Sequence, residues 1–372
     1  MKEMSKYYKK RSEKDKNGKS RALHHYFKLV LYAFSFFILS PLSPVFNGIP
    51  SFGTLSAEAS ITQQTDGSGI TWNLITAGND INTLATTALP GATLYIKAAN
   101  DLTLGVTAVL PLNLTLVFDM NGHALYNAGA AVITPSVGNT ITFQNERIVS
   151  TGTTNSTTVP SPLGIGTVTG VYNYYYGLFS ATNISGVSIT YKNVIQDLGT
   201  ITTWGAGGQP FYNIGSSVNF SGTNYFNYNS GQEFMEGTGI NVLDGTTTIK
   251  HSSGGNAPLW AQSAVSINVA AGATLDFTGS STGRGFIYLD NTPTFTINNN
   301  GTLKLNMSGA SSNNFYSNTG MSSITMNYGA NSSTTVTAPG FFDYNATGGA
   351  FKTTIGQGPV LTTVQEILQM LS

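Results

Sequence analysis

The chain of 372 residues contains no cysteine, which excludes disulfide cross-links, a thiolate nucleophile and any cysteine-ligated metal site. Charge is nearly as scarce. Asp, Glu, Lys and Arg make up 9% of the residues, against roughly 25% in ordinary globular domains. Only two histidines, His123 and His251, lie beyond residue 59, so imidazole chemistry has few places to occur. The basic residues are also unevenly placed: ten of the seventeen Lys and Arg fall within residues 1–59. From Ser60 onward seven basic residues face thirteen acidic ones, a net charge of −6. A sparse, mildly acidic chain argues against a nucleic-acid partner, which calls for a basic stripe.

What is present is uncharged polarity and short apolar pieces. The first 59 residues read as an address. A basic leader, "KYYKKRSEKDKNGKSR", precedes the eleven-residue apolar run "LVLYAFSFFIL" at 29–39; Pro41, Pro44 and Pro50 follow. "AEAS" then places Ala57 and Ala59 before a cut at Ser60. Basic region, short apolar region and small-residue site together predict an extended secretory signal peptide over 1–59. The alternative is retention of the segment as an N-terminal anchor. Either way the expectation is an extracellular or cell-surface protein that touches membrane only through this segment.

Beyond it the chain repeats. "GINVLDGTTTI" (239–249), "SINVAAGATLDF" (266–277), "TINNNGTLKLN" (296–306) and "SITMNYGANSSTTV" (323–336) align on Ile240, Ile267, Ile297 and Ile324. These isoleucines are 27, 30 and 27 residues apart, and each is followed by a glycine: Gly245, Gly272, Gly301 and Gly329. Short apolar pieces at 259–261, 286–289 and 314–317 precede three of the copies. Strands this short cannot bury a face alone, but units stacked about 4.8 Å apart can. Leu275, Phe277, Leu303 and Leu305 are predicted to point inward, and the intervening Thr, Asp, Lys and Asn outward in ladders. The fold class expected is all-β, a right-handed parallel β-helix (solenoid) over 60–360. A propeller blade needs about 40–45 residues, and a sandwich leaves the in-register repeat unexplained. Asn79 and Asp80, followed by Ile81, Leu84, Ala85 and Ala88 at helical spacing and stopped by Pro90-Gly91, predict a short N-terminal capping helix. "STGTTNSTTVPSPLGIGTVTG" (150–170) reads as a loop, and 361–372 as a short C-terminal helix or cap.

This pattern, from "TLATTALPGATLYI" through "PFYNIGSSVNFSGTNYFNY" and "INVLDGTTTI" to "NYGANSSTTVTAPG", resembles the pectate-lyase-like adhesive domain of lactic-acid-bacterial, Gram-positive surface proteins over roughly residues 70–345. The resemblance implies a non-enzymatic protein of adhesion or aggregation. Such proteins are usually anchored to the cell wall. Here the C-terminus carries no LPxTG signal, and the expectation is a released or shortened chain.

Candidate chemistry follows. Asp119, Asn121 and His123 in "FDMNGHAL" are candidates for a metal or acid–base site, with Asp119 and Asn121 the metal candidates. The competing account is a corner, because Asn-Gly is a strong turn signal and calcium wants six to eight oxygens. Of the thirteen acids only Glu233 and Glu236 lie close together, and a solvated loop accounts for them. Arg284 with Asp290 is the nearest mimic of a lyase site. Aromatics offer flat faces for sugar rings. Tyr174 and Tyr176 in "VYNYYYGLF", Trp204 in "TTWGAGGQP" and Tyr225 in "TNYFNYN" are the ligand-binding candidates. Trp260 is assigned to the core, level with Ile287 and Phe315. The function expected is non-catalytic attachment to glycan, mucus or a neighbouring cell surface, with no cofactor. The alternative is a polysaccharide lyase or glycoside hydrolase acting on uronic-acid polymers.

Overall fold

The computed structural model describes residues 61–127, 131–149, 158–160, 167–169, 178–179, 184–198, 210–212, 217–229, 233–237, 239–253, 256–261, 264–281, 286–289, 294–310, 315–317, 323–337, 350–355 and 360–363. The chain divides after Ala57, so every described residue belongs to the second unit, and the segment read as a signal peptide lies outside the description.

The described chain is all-β, built on long parallel sheets. A twelve-stranded sheet, an eight-stranded sheet and a five-stranded sheet share most of the strands. From residue 211 to residue 337 the chain visits them in a fixed rotation. Phe211–Tyr212 lies in the five-stranded sheet, Ser217–Ser221 in the twelve-stranded one and Thr223–Asn229 in the eight-stranded one. Met235–Glu236, Ile240–Val242 and Thr246–Ser253 repeat the circuit, as do Leu259–Ala261, Val265–Val269 and Thr274–Ser281. Each strand pairs in parallel with the strand one circuit earlier. This arrangement is consistent with a β-solenoid.

Period-2 alternation separates inside from outside, as strands require. Leu275, Phe277, Leu303 and Leu305 are buried, and Asp276 and Lys304 between them face outward with carboxylate and ammonium 4.0 Å apart. In the twelve-stranded sheet Ile96, Phe118, Phe143, Tyr191, Phe220, Val242 and Val269 follow one another up the interior. Their rings meet edge-on or stacked, with Phe118 and Phe143 centroids 5.6 Å apart and Tyr191 and Phe220 6.0 Å apart. Polar groups at the corners are satisfied from within. Buried Asn299 donates to Ser333 O and Thr334 Oγ1, both at 2.8 Å, and accepts from Gly301 N at 3.0 Å. That satisfaction is what makes an interior carboxamide tolerable.

The isoleucine ladder is corrected at its last member. Ile240, Ile267 and Ile297 stack, but the next residue up is Met326, and Ile324 pairs with Phe295. A slip of two residues keeps every side chain on its own face, so polarity alone could not detect it. The glycine column also shifts. Thr274, Thr302 and Ser333 donate to the carbonyls of Gly245, Ala273 and Gly301, which puts Gly245, Ala273, Gly301 and Ser332 in line. Gly245 is required at its own position: its φ is +64°, and a Cβ there would sit 2.1 Å from Gly222 O.

The N-terminal helix forms over Asp80–Thr87, with Ile81 and Ala85 buried and Leu84 and Ala88 against the core. Asn79 occupies the N-cap position without capping. Its Oδ1 accepts from Gly105 N at 2.9 Å instead, and the Asp80 carboxylate takes the Ala77 N–H at 3.3 Å. Before the helix stands a hairpin that the sequence pattern did not reveal. Ile61–Thr65 pairs antiparallel with Thr71–Ile75 and forms the edge of the twelve-stranded sheet. Asp66 ties its turn, accepting from Trp72 Nε1 at 2.7 Å and from Ser68 Oγ at 2.7 Å, and these bonds hold its carboxyl down at about 2. Within the segment read as a loop, Thr158–Pro160 pairs antiparallel with Thr167–Thr169. At the other end residues 361–363, the start of the segment read as a short helix or cap, are strand paired with the 333–336 segment; residues 364–372 lie outside the description.

Candidate functional site

The "FDMNGHAL" stretch is a corner. Asp119 ends the strand Thr115–Asp119, and Asn121 and Gly122 turn the chain with φ of +53° and +85°. His123 N donates to Met120 O at 2.8 Å, and Gly122 N to Asn145 O at 2.7 Å. Asp119 Oδ1 accepts from Asn121 N at 2.8 Å and from Asn145 Nδ2 at 2.9 Å, so this carboxylate oxygen fastens the turn to the next circuit. Asn121 is exposed. The imidazole does not join them: His123 Nδ1 lies 3.5 Å from Asp101 Oδ1, which also accepts from Ala124 N at 3.0 Å. Among the described residues no three His, Asp or Glu side chains are grouped to hold a metal ion.

The paired glutamates are not in a solvated loop. Glu233 and Glu236 are 0% and 3% exposed, and the loop reading is corrected. A third acid, Glu146, is buried as well and forms part of an internal chain. Its Oε1 accepts from Leu125 N at 3.1 Å and its Oε2 from Gln196 Nε2 at 2.6 Å, while Gln196 Oε1 accepts from the Tyr228 hydroxyl. Burial pushes the Glu146 carboxyl up to about 8, with the negative charge of Asp101 adding to the effect and the two hydrogen bonds opposing it. His251 is level with Tyr228 in the same sheet and is buried too, its ring 6.0 Å from that of Phe234. No spacing rule links Glu146, Gln196 and Tyr228, so the sequence carried no signal for this chain of polar groups. Arg284 and Asp290 lie outside the described residues.

Of the aromatic candidates, Tyr174, Tyr176 and Trp204 also lie outside the described residues. Tyr225 is described. It stands half-buried on the outer side of Thr223–Asn229, with Lys250 Nζ 5.5 Å from its ring centroid, while its neighbours Phe226 and Tyr228 turn inward. Trp260 is not level with Ile287. Leu259 takes that buried position, and Trp260 is half-buried beside Tyr288, with ring centroids 5.5 Å apart.

The most regular polar arrangement is on the outer side of the twelve-stranded sheet. One column runs Thr93, Thr115, Thr140, Ser188 and Ser217 and, after Gly239, continues through Ser266, Thr296 and Thr325. Two residues along each strand is a second column, in which Thr142 and Thr190 lead into Asn219, Asn241, Asn268, Asn298 and Asn327. These carboxamides form a one-way ladder. Each Nδ2 donates to the Oδ1 of the previous Asn, at 3.0, 2.6, 2.7 and 2.7 Å from Asn241 to Asn327. The ladder steps are 22, 27, 30 and 29 residues, so a strict period search sees the column only in part. Both columns are free of charge from Thr115 to Asn327. Comparison of the chain with family models, with curated proteins and with solved structures finds no match.

Proposed function

We propose that the three sheets close into a right-handed parallel β-helix of the pectate-lyase-like adhesive kind. In this reading residues 1–59 direct export, the 60–360 body acts at the cell surface or in the surrounding medium, and the protein works by binding without turnover. The ligand is glycan, mucus or a neighbouring cell surface. The observation that carries this reading is the pair of uncharged Ser, Thr and Asn columns on the outer side of the twelve-stranded sheet. Neutral hydrogen-bonding groups held in a fixed array suit a polyhydroxylated partner and do not favour a charged one. The use made of the acids supports the same reading: Glu146, Glu233 and Glu236 are interior, and Asp119 fastens a turn. The half-buried Asp101–His123 pair favours the rival lyase or hydrolase, since an imidazole beside a carboxylate is a general base in form.

Binding is tested on a glycan array and on immobilised mucin with the chain from Ser60 onward. Retention is expected, and Tyr174→Ala, Trp204→Ala or Tyr225→Ala is expected to weaken it by about threefold to tenfold, the size of one lost aromatic contact. Retention on no glycan or mucin surface contradicts the proposal.

A further inference from the structure

The pair of uncharged columns on the outer side of the twelve-stranded sheet, beside which Lys97, Asp119 and Lys192 stand in a third column, has a property that singles out one partner. Its groups repeat at the strand spacing, about 4.8 Å, over the nine parallel strands from Thr93–Ala98 to Ser323–Tyr328. A polymer with a slightly different repeat, a glycan included, matches such a row only over a short stretch. A second copy of this face cannot drift, because its repeat is the same. The groups are also self-complementary. Hydroxyls and carboxamides both donate and accept, and a carboxamide has more hydrogen-bonding capacity than one ladder bond in each direction uses. Charge points the same way. The chain beyond residue 59 carries a net −6, so two copies repel one another overall, and the columns from Thr115 to Asn327 add no charge of their own to that repulsion.

We infer that this face is a homotypic docking surface, on which two copies of the chain lie sheet to sheet with their Ser/Thr and Asn columns in register. The area sets the strength. Nine strands about 4.8 Å apart and two residue steps wide make a patch on the order of 300 Å². A stable dimer buries about 800 Å² per partner. One pair of copies therefore associates weakly, and many copies on facing surfaces hold together through multivalency. Cells or particles displaying the chain are joined to one another, whatever glycan the protein also binds.

The test coats beads with the full chain and follows their clustering by light scattering. Parent beads are expected to cluster. Ser266→Glu with Thr296→Glu, and separately Ser266→Lys with Thr296→Lys, places like charges face to face and should reduce clustering by about tenfold or more. Mixing the Glu-face beads with the Lys-face beads should restore it. Mixing Glu-face beads with Glu-face beads that also carry Thr278→Lys and Thr335→Lys, on the outer side of the eight-stranded sheet, should not. Thermal melts matching the parent establish that these surface variants are folded. Dispersed parent beads, face variants that cluster like the parent, or a Glu–Lys mixture that stays dispersed overturns the inference. So does a face whose charged variants lose glycan retention while the parent never self-associates, because the face then belongs to the glycan.

Discussion

Replacing Ile267 with alanine is expected to destabilise the chain by about 2–5 kcal/mol, the cost of emptying a buried aliphatic site. Ile267 is fully buried, between Ile240 one circuit below and Ile297 one circuit above. Strands this short cannot shift to fill the gap without breaking the outer Asn ladder, where Asn241, Asn268 and Asn298 are bonded at 2.6 and 2.7 Å. In a stacked array each circuit depends on its neighbours. The loss should therefore appear both as an earlier urea midpoint and as faster amide exchange in Ile240–Val242, Val265–Val269 and Thr294–Asn299. Ser266→Ala, one residue away on the outer side, should change stability by no more than about 0.5 kcal/mol. An Ile267→Ala change as small as that of Ser266→Ala would place the isoleucine outside and break the register.

The second large effect is a pH dependence centred on Glu146. In the folded chain its carboxyl is raised from the ordinary 4.5 to about 8, first by burial and then by Asp101. Between those values the native state holds a proton that the unfolded chain has released. The contribution of Glu146 to stability is thus fully present below about pH 4.5 and is lost as pH rises to about 8, an effect on the order of 5 kcal/mol at most. Glu146→Gln removes this dependence. The new amide fits the site if Gln196 turns over, giving its oxygen to residue 146 and its N–H to the Tyr228 hydroxyl, which can accept as well as donate. Chemical unfolding of parent and variant across pH 4 to pH 9 should show the variant gaining on the parent as pH rises. Parallel profiles for the two proteins would contradict the buried, protonated acid.

The contrast between Leu275 and Glu146 shows what the sequence could convey. Leu275, Phe277, Leu303 and Leu305 alternate with polar residues inside one repeat, and alternation is local, so their burial was readable. The Asn-Gly corner after Asp119 was readable for the same reason. The interior position of Glu146 depends on Gln196 and Tyr228, which lie 50 and 82 residues further on and reach it only through stacking. Glu233 and Glu236 misled because acids in a polar, glycine-bearing segment read as solvated. Register failed in two ways: a two-residue slip, to which parity is blind, exchanged Ile324 for Met326, and a one-residue slip, which changes face, exchanged the apolar Trp260 for the apolar Leu259 opposite Ile287. The outer columns were legible as a tendency toward Asn and Thr ladders. Their continuity was hidden by unequal steps between circuits.

Turnover is the most direct measure of whether this protein acts by binding alone. The chain from Ser60 is incubated with pectins, alginates and neutral glucans, with and without Ca²⁺, and followed for unsaturated-product absorbance and new reducing ends. Neither is predicted to rise above the level of a blank, for the parent or for Asp119→Ala and His123→Ala, and the two variants should bind as the parent does. Product formed by the parent and lost in Asp119→Ala or His123→Ala would contradict the account and make the corner after Asp119 an active site.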